Sequence, residues 1–254
     1  LYIERIMKMG NVNDSSKKYR NELTAFLKNK SIQGLYDTCL LQYNDMSDIE
    51  KNLESAFKHL KYYYPQTKIP TVYSFISEFG YGIITADTIL GIGLDMFLGE
   101  NYVYYSSIEI PEFLIKKLKR EFIVPNAMKA ISENMFANSN GGKNLLDEMV
   151  YNGKILFFLS YLMPDAPDSL LMGFTQKQIV WCDNNEGEIW NFFLENNLVY
   201  STDAGKYHKF VSDGPTSSGM PKPSPGNVGS WTGWQIVKKF MKENSLVTLQ
   251  QLMR

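Results

Sequence analysis

Histidine is scarce in this chain of 254 residues: there are two, His59 and His208. Most catalytic zinc sites take two or three imidazoles, and a hydrolytic triad needs one beside its nucleophile. Stoichiometric zinc is therefore not expected. Cysteine is equally rare, with Cys39 in "DTCLLQ" and Cys182 in "IVWCDN". No C-x-x-C occurs, and apolar neighbours suggest buried free thiols, although an oxidised pair would suit an exported protein. Charge is nearly balanced, with 26 basic and 27 acidic residues. That excludes long-range attraction to phosphate backbones, so nucleic acid is not an expected partner. No apolar run reaches the roughly 20 residues of a membrane-spanning helix. No G-x-S-x-G elbow, dinucleotide fingerprint or fixed-period repeat occurs either. Residue 1 is Leu, so the chain is expected to derive from a longer precursor.

What is present suffices for a sizeable core, since 44% of the residues are hydrophobic. The pattern predicts an α+β, predominantly helical fold with a small antiparallel-type β-sheet. One domain is expected over 1–254, with a helical part over 1–69 and a second part over 70–254. Asn13 or Asp14 is placed to cap a helix carrying Tyr19, Leu23, Phe26 and Leu27. Ser47-x-x-Glu50 reads as a capping box before the stripe Ile49, Leu53, Phe57, Leu60. His59 lies beside that stripe without a fixed ligand partner. Strands are predicted at 71–77, 82–86 and 89–95, joined by hairpin-like connections. Gly91 and Gly93 inside the third suggest a bulge or close approach of another backbone. Pro111 suits the first position of a helix through "EFLIKKLKR", and Pro125 opens another. A long helix over 143–162 follows Gly141-Gly142. Its interior Gly153 costs about 1 kcal/mol against Ala, which implies close packing or a kink. Thr175-x-x-Gln178 is a second capping box, opening a helix over 176–196.

The stretch "NLLDEMVYNGKILFF" carries the candidate site. Asp147 and Tyr151 are one helical turn apart, and Glu148 follows Asp147. Zinc proteases carry H-E-x-x-H in this frame, with two imidazole ligands and a Glu that activates the bound water. Some take a third ligand, a Glu, from a second helix, and Glu186 stands 38 residues beyond Glu148 on a predicted helix. The order of sheet, motif helix and acidic helix is zincin-like. The side chains are not, because Asp147 replaces one imidazole. Tyr151 replaces the other with a phenol of pKa about 10. Asp147, Glu148, Tyr151 and Glu186 are thus candidates for a degenerate metal site, with no metal or other cofactor expected. The acids could also hold a hard cation, or pair with Lys143 and Lys154.

Trp181, Trp190, Trp231 and Trp234, with Asn185, are candidates for lining a peptide or glycan groove, although aromatic rings at helical spacing are more often core. The segment 211–233 has four prolines and five glycines, which preclude a regular helix or a central strand; it closes on "SWTGWQIVKKFM", which returns to amphipathic helix through Ile236, Val237 and Phe240. Residues 214–229 are expected to fold back over the protein, because Trp231 and Trp234 follow them. Ser201-Thr202-Asp203 near His208 contains triad residue types but reads better as a turn or cap.

Three long segments, "DTILGIGLDMFLGENYVYY", "GKILFFLSYLMPDAPDSLLMGFTQKQIVWCDNNEGEIWNFFLENNLVYSTD" and "PGNVGSWTGWQIVKKFM", resemble the gliding-motility lipoprotein B family (GldB) of the Bacteroidetes. The resemblance runs from about residue 70 to the C terminus. It implies an exported lipoprotein of the periplasm or cell envelope, held to the membrane only through an N-terminal lipidated Cys upstream of residue 1. It also implies partners in the gliding machinery and the protein secretion machinery that gliding shares. Kinship with predicted zinc metalloproteases is a further implication. The combined expectation is a pseudoenzyme acting by binding or assembly. The alternatives are a carboxylate-dependent hydrolase acting on a cell-envelope polymer or peptide, and a cation-stabilised structural domain.

Overall fold

The computed structural model describes residues 1–13, 18–137 and 143–254; Asp14 and the Gly141-Gly142 pair lie outside them. The helices α1 (Lys18–Lys28), α2 (Lys30–Gln42) and α3 (Ser47–Tyr63) come first. The strands β1 (Thr71–Phe75), β2 (Ile83–Ala86) and β3 (Ile89–Gly93) follow. Short helices α4 (Val103–Ser107) and α5 (Glu112–Ile115) lead to α6 (Ile123–Met135) and the long α7 (Leu145–Leu162). The rest comprises α8 (Asp168–Met172), α9 (Gln176–Asn184), α10 (Glu186–Glu195), α11 (Ala204–Tyr207), α12 (Val228–Glu243) and α13 (Leu249–Leu252). The α+β, mostly helical expectation holds.

The sheet is mixed and not simply antiparallel. Its order is β1-β3-β2, with β1 parallel to β3 and β2 antiparallel to it. The short connection from β2 to β3 is a hairpin, as expected. The connection from β1 to β2 is not, because β3 takes the place between them. A crowded crossing explains the glycines of β3. A Cβ on Gly93 would stand 1.9 Å from the Tyr81 carbonyl oxygen, and Gly93 N–H donates to Gly82 O at 2.8 Å.

Helix ends also depart from the pattern in specific ways. Met46 precedes α3 without a side-chain cap; the Asp45 carboxylate accepts the Ser47 N–H at 2.9 Å instead. The stripe itself is right, with Ile49, Leu53 and Leu60 buried. Pro111 precedes α5, which stops after four residues. Pro125 is the third residue of α6, within the turn where a missing N–H costs nothing. The Thr175–Gln178 capping box forms reciprocally. The predicted helix over 176–196 is two helices, broken at Asn185 (φ −121°, ψ 18°). Asn185 N–H caps α9 by donating to Cys182 O at 3.1 Å, and its Nδ2 donates to Trp181 O at 2.7 Å.

The core is centred on α7, and α12 is its main partner. Gly153 marks their crossing. A Cβ there would lie 2.3 Å from the Gly233 carbonyl carbon and oxygen, and one on Gly233 would lie 1.7 Å from Met149 O. Two backbones therefore touch where two side chains are missing, as the interior glycine predicted. Asn152 Nδ2 ties the crossing to Ser230 Oγ at 2.9 Å. α10 meets α12, and α7 also packs on α6, which in turn covers β2. The main partner of α7 is thus α12 and not the helices of 176–196.

Candidate functional site

The start of α7 explains most of the D-E-x-x-Y motif. Asn144 caps the helix, its Oδ1 accepting the Asp147 N–H at 3.0 Å. Asp147 Oδ2 accepts the Lys143 N–H at 2.9 Å. This is close to a capping box, and a carboxylate in a first helical turn also meets the positive end of the helix dipole. The N–H groups of Leu145 and Leu146 donate to Ser201 O at 3.3 Å and Val199 O at 3.0 Å. The carbonyls of Val199 and Ser201 therefore dock the start of α7. Asp203 caps α11 through Gly205 N–H at 3.1 Å, in line with the turn reading and not with a triad.

Asp147 is exposed, Glu148 and Tyr151 are half-buried, and Glu186 is exposed at the first position of α10. Burial raises the Tyr151 phenol above its usual range, and the charges of Glu133 and Glu148 add to this. The phenol stays protonated and is a poor ligand. Among the described residues no group of three or more His, Cys, Asp or Glu is placed to hold a metal ion. Neither Lys143 nor Lys154 forms an ion pair with these acids among the described residues. Burial lowers the Lys154 pKa.

The tryptophan groove requires a correction. Trp231 and Trp234 are 1% and 0% exposed, because α12 turns them into the α7 interface. They cannot line an open groove. The Lys238 ammonium lies 3.8 Å from the Trp234 ring centroid and 2.5 Å from Asp168 Oδ2, so it closes α12 onto α8. Trp181 and Asn185 are half-buried, at the α9–α10 break. Cys39 and Cys182 are buried free thiols, each pushed up to about 12 by burial. His208 is exposed on the surface and His59 half-buried.

The long loop folds back, as expected. Ser217, Ser224 and residues 225–230 are buried. Ser217 Oγ donates to Pro225 O at 2.7 Å, and Lys117 anchors Asp213 at 2.7 Å. Gly214 and Gly226 meet backbone to backbone, since a Cβ on Gly226 would fall 2.2 Å from Gly214 O. The loop forms one wall of a cavity of about 840 Å³ that also holds Glu112, Lys116 and Lys119.

Sequence reasoning missed two apolar cavities, one on each face of the sheet. The larger, about 920 Å³, lies between α1, α2 and the face carrying Tyr73, Phe75, Ile84 and Gly91. Among the described residues no charged side chain lines it. The smaller, about 680 Å³, lies between α3 and the face carrying Val72 and Ile92, with Lys58 and Lys61 among its lining. Tyr36 and Leu40 in the larger cavity are each 52% exposed. The signal was in α2: Ile32, Leu35 and Cys39 already form a buried stripe, so Tyr36 and Leu40 are apolar residues beyond what the core uses.

At the base of this region Asp95 is fully buried. Its Oδ2 accepts Ser77 N–H at 3.0 Å and Phe79 N–H at 2.7 Å, while Oδ1 has no partner. Burial raises its pKa, partly offset by those donors. Glu78 and Phe79 have φ of 55° and 65°, a left-handed pair that turns the backbone around the carboxylate.

No helix among the described residues is long and apolar enough to cross a membrane. No curated protein matches the sequence significantly, and no solved structure does. The family model described as gliding motility protein GldB matches residues 1–254, and the chain therefore belongs to that family.

Proposed function

We propose a part in gliding motility, as family membership implies. We infer that this part is non-catalytic: binding or assembly by an exported, lipid-anchored domain of the cell envelope. Its partners would be proteins of the gliding and associated secretion machinery, and its fold a degenerate metalloprotease. The observation that carries the reading is the engagement of Asp147, whose carboxylate accepts a main-chain N–H at the start of α7. A helix-start role accounts for an acid at the place where a zinc protease has its first imidazole. The protonated Tyr151 phenol supports the same reading at the second place. The order of sheet, α7 and acidic α10 supports metalloprotease ancestry. The apolar cavities around the sheet supply surface for a partner.

The test is complementation of a deletion strain by Glu148→Gln and, separately, Glu186→Gln, with protein levels checked. An amide cannot take a proton from water, and loss of a positioned base costs about 10²–10⁴-fold in rate. Normal motility and secretion from both variants is the expected result. Loss from both at normal abundance would favour carboxylate chemistry or a cation site. Asp147→Asn would then help to separate those two, because a cation site loses affinity with each carboxylate removed.

A further inference from the structure

Strand β1 has one free edge. Thr71 N–H donates toward the β3 side, to Thr88 O at 2.7 Å, and Thr71 is in register with Ile89. In a parallel pair alternate residues bond the neighbour, so Thr71, Tyr73 and Phe75 serve β3. The N–H and C=O groups of Val72 and Ser74 point the other way. Among the described residues nothing bonds these four groups. The next outward carbonyl, Ile76 O, already accepts the Tyr2 hydroxyl at 2.8 Å.

Within β1 this edge is little protected. "TVYSF" contains no charge, proline or bulge, and Tyr73 is 56% exposed. Natural sheets generally blunt or cover such edges, because unpaired apolar strands recruit other strands. The edge also lies between the two apolar cavities, with Val72 facing one and Tyr73 and Phe75 the other. A strand added to β1 would therefore send alternate side chains to opposite faces, one set into each cavity.

We propose that β1 is a docking edge for an extended segment of a partner protein, which joins the sheet as a fourth strand through Val72 and Ser74. The segment has apolar side chains at every second position on the face toward the larger, uncharged cavity. On the other face it tolerates polar or charged residues, since that cavity includes Glu50, Glu54, Lys58 and Lys61. Shape selects a slender peptide over a second copy of this chain. Walls of α1 and α2 rise on one side of the edge and α3 on the other, and edge-to-edge pairing of two copies would bring both sets together. The proposal rests on the binding reading above and names the chemistry of the bound segment.

The test uses the full chain and a pool of fluorescent, end-blocked octapeptides in which Thr or Lys alternates with Val, Leu, Phe or Tyr. Binding is read by anisotropy up to ~1 mM peptide. The expected result is saturable binding by members of the pool. It should weaken at least tenfold, about 1.4 kcal/mol, when alternate peptide nitrogens are methylated. Ser74→Pro should weaken it similarly with little change in Tm, because proline is tolerated where an edge N–H faces solvent. No binding from the pool, or equal binding of the methylated peptides, overturns the proposal. So does a concentration-dependent dimer abolished by Ser74→Pro, which would make a second copy the occupant. The methylated peptides keep the test decisive if Ser74→Pro fails to fold. Mass spectrometry of recovered peptide separates the two readings. Intact peptide agrees with a binding part. Cleavage that Glu148→Gln abolishes would overturn the non-catalytic reading and leave the docking edge standing.

Discussion

Glycine admits a backbone in one region of this molecule and a side chain in another. At the crossing of α7 and α12, Gly153 and Gly233 let main chains touch, and two tryptophans seal the surroundings. Around β1, the Phe75 ring packs where a Gly91 side chain would stand, and the large apolar residues nearby are half-open beside cavities. The first arrangement is complete in itself. The second has apolar surface and main-chain groups that another molecule could complete. The difference suggests that the α7–α12 half maintains the fold and the β1 half recruits.

The largest expected effect tests that contrast directly. In Gly233→Ala the new methyl meets Met149 O at 1.7 Å, a backbone atom that cannot step aside. Overpacking typically costs 1–3 kcal/mol and sometimes more, so a loss of about 3 kcal/mol or greater is expected in urea denaturation. Gly91→Ala meets the Phe75 ring edge at 2.8 Å, and Phe75 stands on the open strand where its ring can turn. Its expected cost is about 1 kcal/mol or less. Equal costs would remove the distinction between the two regions.

Asp95 gives the next effect, because it braces the turn after β1. Asp95→Ala leaves the N–H groups of Ser77 and Phe79 without their acceptor, at about 1–3 kcal/mol for each buried donor. The carboxyl also makes stability depend on pH. Its folded pKa is raised above the usual 3.8, so above about pH 4 the unfolded chain loses this proton while the folded chain retains it. Stability contributed by the group is full below pH 4 and is lost as pH rises through the folded value. Denaturation midpoints from pH 4 to 8 should therefore fall more for the native sequence than for Asp95→Asn. Parallel profiles would show that Asp95 does not titrate abnormally.

A smaller contrast concerns the thiols. Both are pushed up to about 12, so both should react slowly with a disulfide reagent in the native protein. Cys39 lines the larger cavity, whereas Cys182 is enclosed by α9 and its neighbours. Local opening should expose Cys39 first, giving the faster labelling rate by mass spectrometry. Faster labelling of Cys182 would reverse the assignment of the looser half.

Local chemistry was the legible part of the sequence. The Thr175–Gln178 box, the strand positions and the stripe of α3 follow from side chains a turn or two residues apart. Gly153 was legible because its helix penalty demanded a packing reason. The mixed order of the sheet was not, since "TVYSF" has the same pattern beside either neighbour. The break at Asn185 was hidden inside continuous helical periodicity. Aromatic rings at helical spacing are more often core than groove, and the burial of Trp231 and Trp234 follows that preference; which helix they meet was not legible. The recruiting edge was invisible for a related reason: main-chain groups left unpaired by tertiary structure have no residue code.

The smallest expected effect is the one closest to the motif. Glu148 lies in the first turn of α7 and is half-buried. Its charge favours the helix dipole by about 0.3–1 kcal/mol in general, with the lower end expected where solvent reaches the group. Glutamine keeps the size and the helix propensity. Removing the charge also relieves part of the upward pressure on the Tyr151 phenol, to which Glu148 contributes after burial and Glu133. The net loss for Glu148→Gln should therefore be at most about 0.5 kcal/mol in urea denaturation. The Tyr151 phenol should titrate at a lower pH than in the native sequence. A loss above about 1.5 kcal/mol would mean that Glu148 holds a buried partner, since truncating a hydrogen bond to a charged group costs that much or more. The motif helix would then belong with the chemistry of a site, and the division between a fold-keeping half and a recruiting half would fail where the sequence first suggested a function.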